Sequence, residues 1–171
     1  MGEDGYYERN GKEIGFVISV MAGEQDRIDI AQAAAQQLRE AGINCTVDIP
    51  AQMDWGGQMA CLIGWGSPFD ADDHTYKVFG TDKGANYSGY SNERVDEYLT
   101  LARQSEEFEV RKEYYDKFQE ELARDPAYAF ICYIDANYVA KSSIQGIAGD
   151  TVMGHHGTGI FWNVHEWTIS Q

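Results

Sequence analysis

The stretch that decides the fold is Ile14–Ile49, IGFVISVMAGEQDRIDIAQAAAQQLREAGINCTVDI. Its two ends, Ile14–Met21 and Ile43–Ile49, are rich in apolar and β-branched residues and predict two strands. Between them, small and apolar residues recur at helical spacing at Ile28, Ala31, Ala35 and Leu38. A strand, a helix and a strand within about 35 residues form a βαβ unit, so the two strands are predicted to be parallel and the fold to be α/β.

The flanks of this unit carry turn and cap signals. Asn10-Gly11 predicts a hairpin turn. Asp26 is expected to cap the N-terminus of the helix, and Gly42 stands where a left-handed residue commonly ends a helix. A short apolar run at Ala60–Trp65 predicts a third, buried strand.

The chain continues with a long segment, Gly66–Ser91, that is rich in glycine, acids and aromatic residues. It is too long for an ordinary connection and predicts an ordered functional loop. A helix capped by Ser91 or Asn92, with Val95, Leu99 and Ala102 on its inner face, is expected to follow.

The last third of the sequence predicts further regular structure. A second helix is expected over Glu109–Arg124, followed by a strand pair at Tyr128–Asp135 and Tyr138–Ile144. A chain of 171 residues suits one domain.

Charge and composition narrow the function. With 13 basic and 28 acidic residues the formal net charge is −15, which disfavours binding to nucleic acid or to anionic lipid. The longest apolar runs, such as Phe16–Met21 and Tyr128–Ile134, are much shorter than the ~20 residues of a membrane-spanning helix. The N-terminal residues show no signal-peptide pattern, and the three cysteines are expected to be buried thiols.

The acidic cluster consists of Asp70, Asp72, Asp73 and His74. Hard cations prefer carboxylate oxygens, but threonines stand where an EF-hand loop requires glycine and glutamate. Acids also suit the start of a helix, because the helix dipole is positive there. Capping of a helix that begins near His74 is the favoured interpretation, and direct ligand contact and metal binding are the alternatives.

Catalytic motifs are absent from the sequence. It contains no nucleophile elbow, dinucleotide fingerprint or P-loop. His155 and His156 are adjacent and would point to opposite faces of a strand, so we expect them, like His165, to be structural. No enzymatic activity, cofactor or metal is predicted.

Trp65 ends the predicted third strand and precedes Gly66. Ligands of α/β sheets bind beyond the carboxyl ends of the strands, where a tryptophan offers a flat apolar wall and a glycine allows close approach. A core position for Trp65 and Phe69 is equally compatible with the sequence.

The order of several motifs resembles the C-terminal lobe of the family 5 solute-binding proteins, the peptide and nickel receptors of bacterial ABC importers. The motifs are Asn10-Gly11-Lys12, Ala41-Gly42-Ile43, Ile63-Gly64-Trp65-Gly66, Asn86-Tyr87-Ser88-Gly89-Tyr90-Ser91-Asn92 and Asp125-Pro126-Ala127-Tyr128. The resemblance extends from about Gly5 to Trp167.

The resemblance implies one lobe of a periplasmic-binding-protein-like (type II) fold, with a mixed sheet flanked by helices. Residues 1–171 would be an excised C-terminal ligand-binding lobe of a larger, extracytoplasmic receptor, either periplasmic or lipid-anchored. That receptor would bind peptides between this lobe and a missing N-terminal lobe and deliver them to an ABC permease. The implied cleft wall consists of Trp65, Gly66, Ser67 and Phe69, with Asp70 and Tyr87 nearby.

One departure from the family pattern concerns the ligand. Many peptide receptors of the family place an aspartate three residues after the tryptophan, where this chain has Pro68, and Asp70 follows only five residues after Trp65. The sequence Gly-Ser-Pro-Phe-Asp is closer to the pattern of the nickel and metallophore receptors, which makes a metal chelate the alternative ligand. Two rivals from other classes are a metal-dependent hydrolase that uses Asp70, Asp72 and His74, and a sensory module fused to a regulator.

Overall fold

The computed structural model describes residues 1–2, 4–65, 70–135, 137–148 and 159–170. The chain packs as two compact units, Met1–Gly64 and Trp65–Gln171. The assignment of residues 1–171 to one receptor lobe stays a prediction.

The first unit begins with a hairpin of β1 (Glu8–Arg9) and β2 (Lys12–Glu13), which pair antiparallel. Asn10 and Gly11 between them both have positive φ angles, 55° and 70°. Two consecutive left-handed residues match the right-handed twist of the flanking strands, and the predicted hairpin is confirmed.

A parallel sheet forms the centre of the first unit. It contains β3 (Gly15–Ser19), β4 (Asn44–Asp48) and β5 (Ala60–Cys61) in the order β4-β3-β5, and α1 (Gln25–Glu40) connects β3 to β4. The predicted βαβ unit is therefore confirmed. Its core is apolar side chains from the sheet and the helix, namely Val20, Ile28 and Ala31 with Ile18, Val47 and Leu62.

The two ends of α1 differ in how well the sequence predicted them. At the C-terminus Gly42 has φ +86°, its N–H donates to Arg39 O at 2.9 Å, and the N–H of Ile43 donates to Leu38 O at 2.9 Å. This is the Schellman arrangement that the glycine predicted. At the N-terminus the prediction was wrong, because the helix begins one residue before Asp26, which lies in its first turn; Glu24 is the cap residue.

The third strand is shorter and less buried than predicted. Only Ala60 and Cys61 pair with β3, opposite Ile18 and Ser19, and both are half-buried. Because β3 itself ends at Ser19, it offers no further ladder positions to the residues that lead to Trp65.

The second unit is built on three helices, α2 (Asp72–Phe79), α3 (Glu93–Arg103) and α4 (Phe108–Arg124). The predicted loop Gly66–Ser91 thus contains a helix. The main apolar cluster joins α3 to α4 through Val95, Leu99, Phe118 and Leu122. Asn92 caps α3 as predicted, since its side-chain oxygen accepts from the N–H groups of Arg94 and Val95.

The predicted strand pair at Tyr128–Asp135 and Tyr138–Ile144 was wrong. Within the described parts of 128–143 no residue pairs in a strand, and Tyr133 and Val139 are completely exposed. Alternating apolar residues form a strand only where a neighbouring strand takes up their backbone groups. The pairing that does occur joins β6 (Ile144–Gln145) to β7 (Thr168–Ile169), which follows a 3₁₀ segment at Gly159–Glu166.

The cysteines differ in exposure. Cys45 is buried, Cys61 is half-buried and Cys132 is exposed, so the expectation of three buried thiols was wrong for Cys132. Burial raises the pKa of the Cys45 thiol above its ordinary value. Among the residues that the structure describes, no helix has both the length and the apolar character needed to cross a bilayer.

The α3–α4 cluster gives the first testable prediction. Leu99→Ala empties a fully buried site and should lower the free energy of unfolding by about 2–5 kcal/mol, measured by denaturant titration with far-UV circular dichroism. Leu101→Ala makes the same change two residues away on α3, at a half-buried position, and should cost clearly less. Equal losses in the two variants would contradict the packing described here.

Candidate functional site

Three aromatic side chains come together at the start of the second unit. The Trp65 and Tyr87 rings are nearly parallel, with centroids 6.0 Å apart and planes at 24°. The imidazole of His74, on α2, lies 5.6 Å from the Trp65 ring at 47°. We call Trp65, His74 and Tyr87 the aromatic panel. Trp65 and Tyr87 retain 36% and 38% exposure, so the panel is an accessible apolar surface rather than core.

Asp70 fixes the beginning of α2. Its Oδ1 accepts from the backbone N–H of Asp72 at 2.7 Å and from the guanidinium of Arg111, on α4, at 2.6 Å. The hydrogen bonds from Arg111 and Asp72 and the Arg111 charge hold the pKa of Asp70 below its ordinary value, and the Asp70 bond raises the pKa of Arg111. Since both side chains are partly exposed, the pair contributes more to orientation than to stability.

A second cation, Arg103, anchors the same helix. Its Nε lies 3.1 Å from Asp72 Oδ2, and its guanidinium lies 3.9 Å from the centre of the Tyr76 ring. Lys83 Nζ lies 4.9 Å from the same ring centre. The carboxylate of Asp72 and the ring of Tyr76, both on α2, therefore contact the same arginine, and this combination holds α2 against the end of α3.

The connection from α2 to α3 is ordered by one side chain, Asn86. Its amide nitrogen donates to Gly80 O at 2.9 Å and to Tyr90 O at 2.7 Å. Its amide oxygen accepts from Tyr90 N and from Ser88 Oγ, both at 3.1 Å. Tyr87 of the aromatic panel lies inside this bonded turn.

The acids of the acidic cluster stabilise the N-terminus of α2 and form ion pairs. Ala71 is the cap residue of α2, Asp70 before it accepts from the N–H of Asp72, and Asp72 and Asp73 lie in the first turn, where Asp73 approaches Lys77 at 3.4 Å. The favoured interpretation is confirmed in that these acids stand at the start of a helix near His74, although the cap residue itself, Ala71, makes no side-chain cap bond. Within the described ranges no group of three or more His, Cys, Asp or Glu side chains has the arrangement of a metal site.

The predicted site residues have different outcomes. Trp65 and Tyr87 are brought together, and Asp70 lies at the start of α2 in contact with Arg111. The predicted positions Gly66, Ser67 and Phe69, and the pair His155 and His156, lie outside the described residues.

Sequence reasoning missed three contributors to this region. Arg111 is 41 residues from Asp70, and nothing in the local pattern links them. The sequence places His74 among the acids of the acidic cluster and gives no sign of its contact with Trp65. Asn86 stands in the sequence Asn-Tyr-Ser-Gly, and this cluster of asparagine, serine and glycine is a turn signal that pointed to it.

The chain has relatives among known proteins over most of its length. No protein-family model matches it. It is 30% identical over 153 residues to Protein XP55 of Streptomyces lividans, covering 85% of this chain and 28% of that protein. It is 24% identical to the oligopeptide-binding protein AppA of Bacillus subtilis, covering 98% of this chain and 32% of AppA.

Solved structures give the fold. NikZ of Campylobacter jejuni in complex with Ni(L-His) superposes with a TM-score of 0.81 and 34% identity, over 98% of this chain and 36% of NikZ. AppA of Bacillus subtilis in complex with a nonapeptide superposes with a TM-score of 0.76 and 21% identity, over 99% of this chain and 34% of AppA. The predicted α/β fold of a type II binding-protein lobe is confirmed, and the chain spans about a third of the length of the relatives it matches.

The Asp70–Arg111 pair can be tested through the pKa of the carboxyl. Arg111→Gln removes the cation that lowers this pKa, so the pKa should rise toward its ordinary value, measured by carbon-detected NMR titration of the carboxyl group. Because the folded-state pKa is depressed, the contribution of the pair is present above the ordinary carboxyl range and is lost as the pH falls through the depressed value. The stability difference between wild type and variant should therefore shrink on acidification.

Lys112→Gln is the matched control, since Lys112 is the next residue on α4 and pairs with Asp116 instead. It should leave the pKa of Asp70 unchanged. An Asp70 pKa that is the same in wild type and in Arg111→Gln would show that the two side chains do not interact in solution.

Proposed function

We propose that this chain, which belongs to the family 5 solute-binding proteins, is a ligand-binding lobe of an extracytoplasmic receptor that delivers peptides to an ABC permease. The receptor would close two lobes around its ligand, and the closed state would be the form that the permease recognises. The role is non-catalytic: the chain supplies a binding wall, not reacting groups.

The observation that carries this proposal is the exposed aromatic panel. Flat rings that are ordered but accessible gain the most from a partner that covers them. Trp65 and Tyr87 are held in a near-parallel stack on a scaffold of three helices, so little ordering remains to be done when a ligand arrives. Low ordering cost is the main way in which a site of modest area gains affinity.

The remaining predicted residues have defined parts in the proposal. Gly66, Ser67 and Phe69 would line the cleft beside the panel and offer backbone groups to the ligand main chain. Asp70 would act beside them, with its charge shared with Arg111. A carboxylate already paired with a guanidinium is a poor receptor for a free amine, so we expect the ligand to be recognised mainly by apolar and main-chain contacts.

A second candidate ligand is nickel carried by histidine. The specific observation in its favour is the 34% identity with NikZ, whose structure holds Ni(L-His). A nickel–histidine complex is compact and brings its own ligands to the metal, so such a site requires shape and a few polar contacts rather than a protein cage of donors.

The two ligands can be separated by backbone-amide NMR titration of the ¹⁵N-labelled chain, first with pooled short peptides and then with nickel–histidine. We expect one of the two ligands to change the amide chemical shifts of Trp65, Tyr87 and their neighbours. Trp65→Ala should weaken that binding by roughly tenfold or more, because truncating an aromatic anchor that the ligand covers typically costs about 2 kcal/mol, and about 1.4 kcal/mol corresponds to tenfold.

Trp55→Ala is the matched control, since Trp55 has a similar exposure, 38%, but lies in the first unit. It should leave binding unchanged. Equal losses in both tryptophan variants would count against the panel as the site, and silence with both ligands would count against ligand binding by this chain.

A further inference from the structure

The Asn86 side chain uses its full hydrogen-bonding capacity. A carboxamide has two N–H donors and an oxygen with two lone pairs. Asn86 donates to Gly80 O and Tyr90 O and accepts from Tyr90 N and Ser88 Oγ, at distances between 2.7 and 3.1 Å. The side chain is half-buried, so water competes with these bonds less than at an open surface.

These bonds tie together both ends of the turn that carries Tyr87. Gly80 is the residue that ends α2, and Tyr90 packs against the α3–α4 cluster two residues before the cap of α3. The backbone adds further bonds, from Ala85 N to Lys77 O at 3.1 Å and from Tyr87 N to Ala85 O at 3.0 Å. The position of Tyr87 is thus determined by a turn whose centre is the Asn86 amide.

The chemistry of these contacts requires an amide at position 86. Two of the four partners are carbonyl oxygens, which only a donor can satisfy, and the other two are donors, which only an acceptor can satisfy. Aspartate has nearly the same shape, but it would place a carboxylate oxygen against the two carbonyl oxygens. Like-signed partial charges at hydrogen-bond distance repel, and both carbonyls would lose their donor.

We infer that Asn86 is a positioning residue of the proposed binding site, which holds Tyr87 in its stack on Trp65 and so sets the shape of the aromatic panel. The use of the panel by a ligand rests on the proposed function. The link from Asn86 to the stack does not, because it is a property of the ligand-free chain.

The test measures the stack directly. In the ¹⁵N-labelled chain the indole N–H signal of Trp65, assigned by its disappearance in Trp65→Phe, is shifted by the ring current of Tyr87, and nuclear Overhauser contacts join the two rings. Tyr87→Leu gives the signal position without the stack. Asn86→Asp should move the Trp65 signal most of the way to that position and remove the contacts between the rings.

Two controls separate positioning from general destabilisation. Ser88→Ala removes only one of the four contacts and should leave the Trp65 signal close to its wild-type position. Leu122→Ala weakens the α3–α4 cluster but removes none of the four Asn86 contacts, and should lower stability while leaving the signal close to its wild-type position in the folded protein.

An unchanged Trp65 signal in folded Asn86→Asp would overturn the inference. If that variant does not fold, Asn86→Ala, which introduces no charge, provides the same measurement. If neither variant folds, the inference is also overturned, because Asn86 would then support the whole unit rather than the panel.

The ligand titration is read separately. A Trp65 signal that moves in Asn86→Asp, in a chain that binds neither peptides nor nickel–histidine, would support the positioning role and contradict the proposed function. A chain that binds one of the two ligands but whose Trp65 signal does not move in Asn86→Asp would support the proposed function and contradict the positioning role.

Discussion

The buried contact between α3 and α4 is the interaction on which the second unit depends. Leu99 and Val95 on one helix meet Phe118 and Leu122 on the other. The two helices are joined by a short connection, so Arg103, which ends α3, and Arg111, near the start of α4, lie close together in the chain. Asp70, which lies just before α2, and Asp72, its first residue, meet these two guanidiniums, and the apolar contact thereby determines where α2 begins.

The net charge of the chain is a poor guide to the electrostatic field near the aromatic panel. The whole chain carries a formal charge of −15, which suggests a surface that attracts cations. The two carboxylates at the start of α2 are nevertheless paired with arginines, and a paired carboxylate exerts little field beyond its partner. The chemistry that a ligand meets there is set by the rings and by these pairs, not by the excess of acids elsewhere.

Much of the fold was predictable from local pattern, and the failures have physical reasons. The βαβ unit, the Asn10-Gly11 hairpin and the Gly42 helix end depend on residues close in sequence, where periodicity and left-handed glycine or asparagine are direct signals. The length of β5 depended on where β3 ends, and the predicted strands after Tyr128 depended on a partner strand. The sequence alone shows neither where β3 ends nor whether a partner strand is present.

In the candidate site, too, features set by local sequence were predicted and features set by tertiary contacts were not. Trp65 was predicted from its place at the end of a strand, Tyr87 was implied by the family resemblance, and the structure brings the two rings together. The contact of Asp70 with Arg111 spans 41 residues and follows only from the packing of α4, so an acid that suggested ligand or metal chemistry proved to be engaged within the protein. Residue type predicted which groups could act, and tertiary structure decided which of them are accessible.

The apolar segment around Tyr133 and Val139 has a consequence for the behaviour of the molecule in solution. Phe130, Ile131 and Tyr133 stand exposed on backbone that the described residues do not pair in a strand. Sequences rich in aromatic and β-branched residues with unpaired N–H and C=O groups add readily to one another edge to edge. Covering these side chains would remove apolar surface from water, so a polypeptide that packed on this segment would gain free energy from apolar burial.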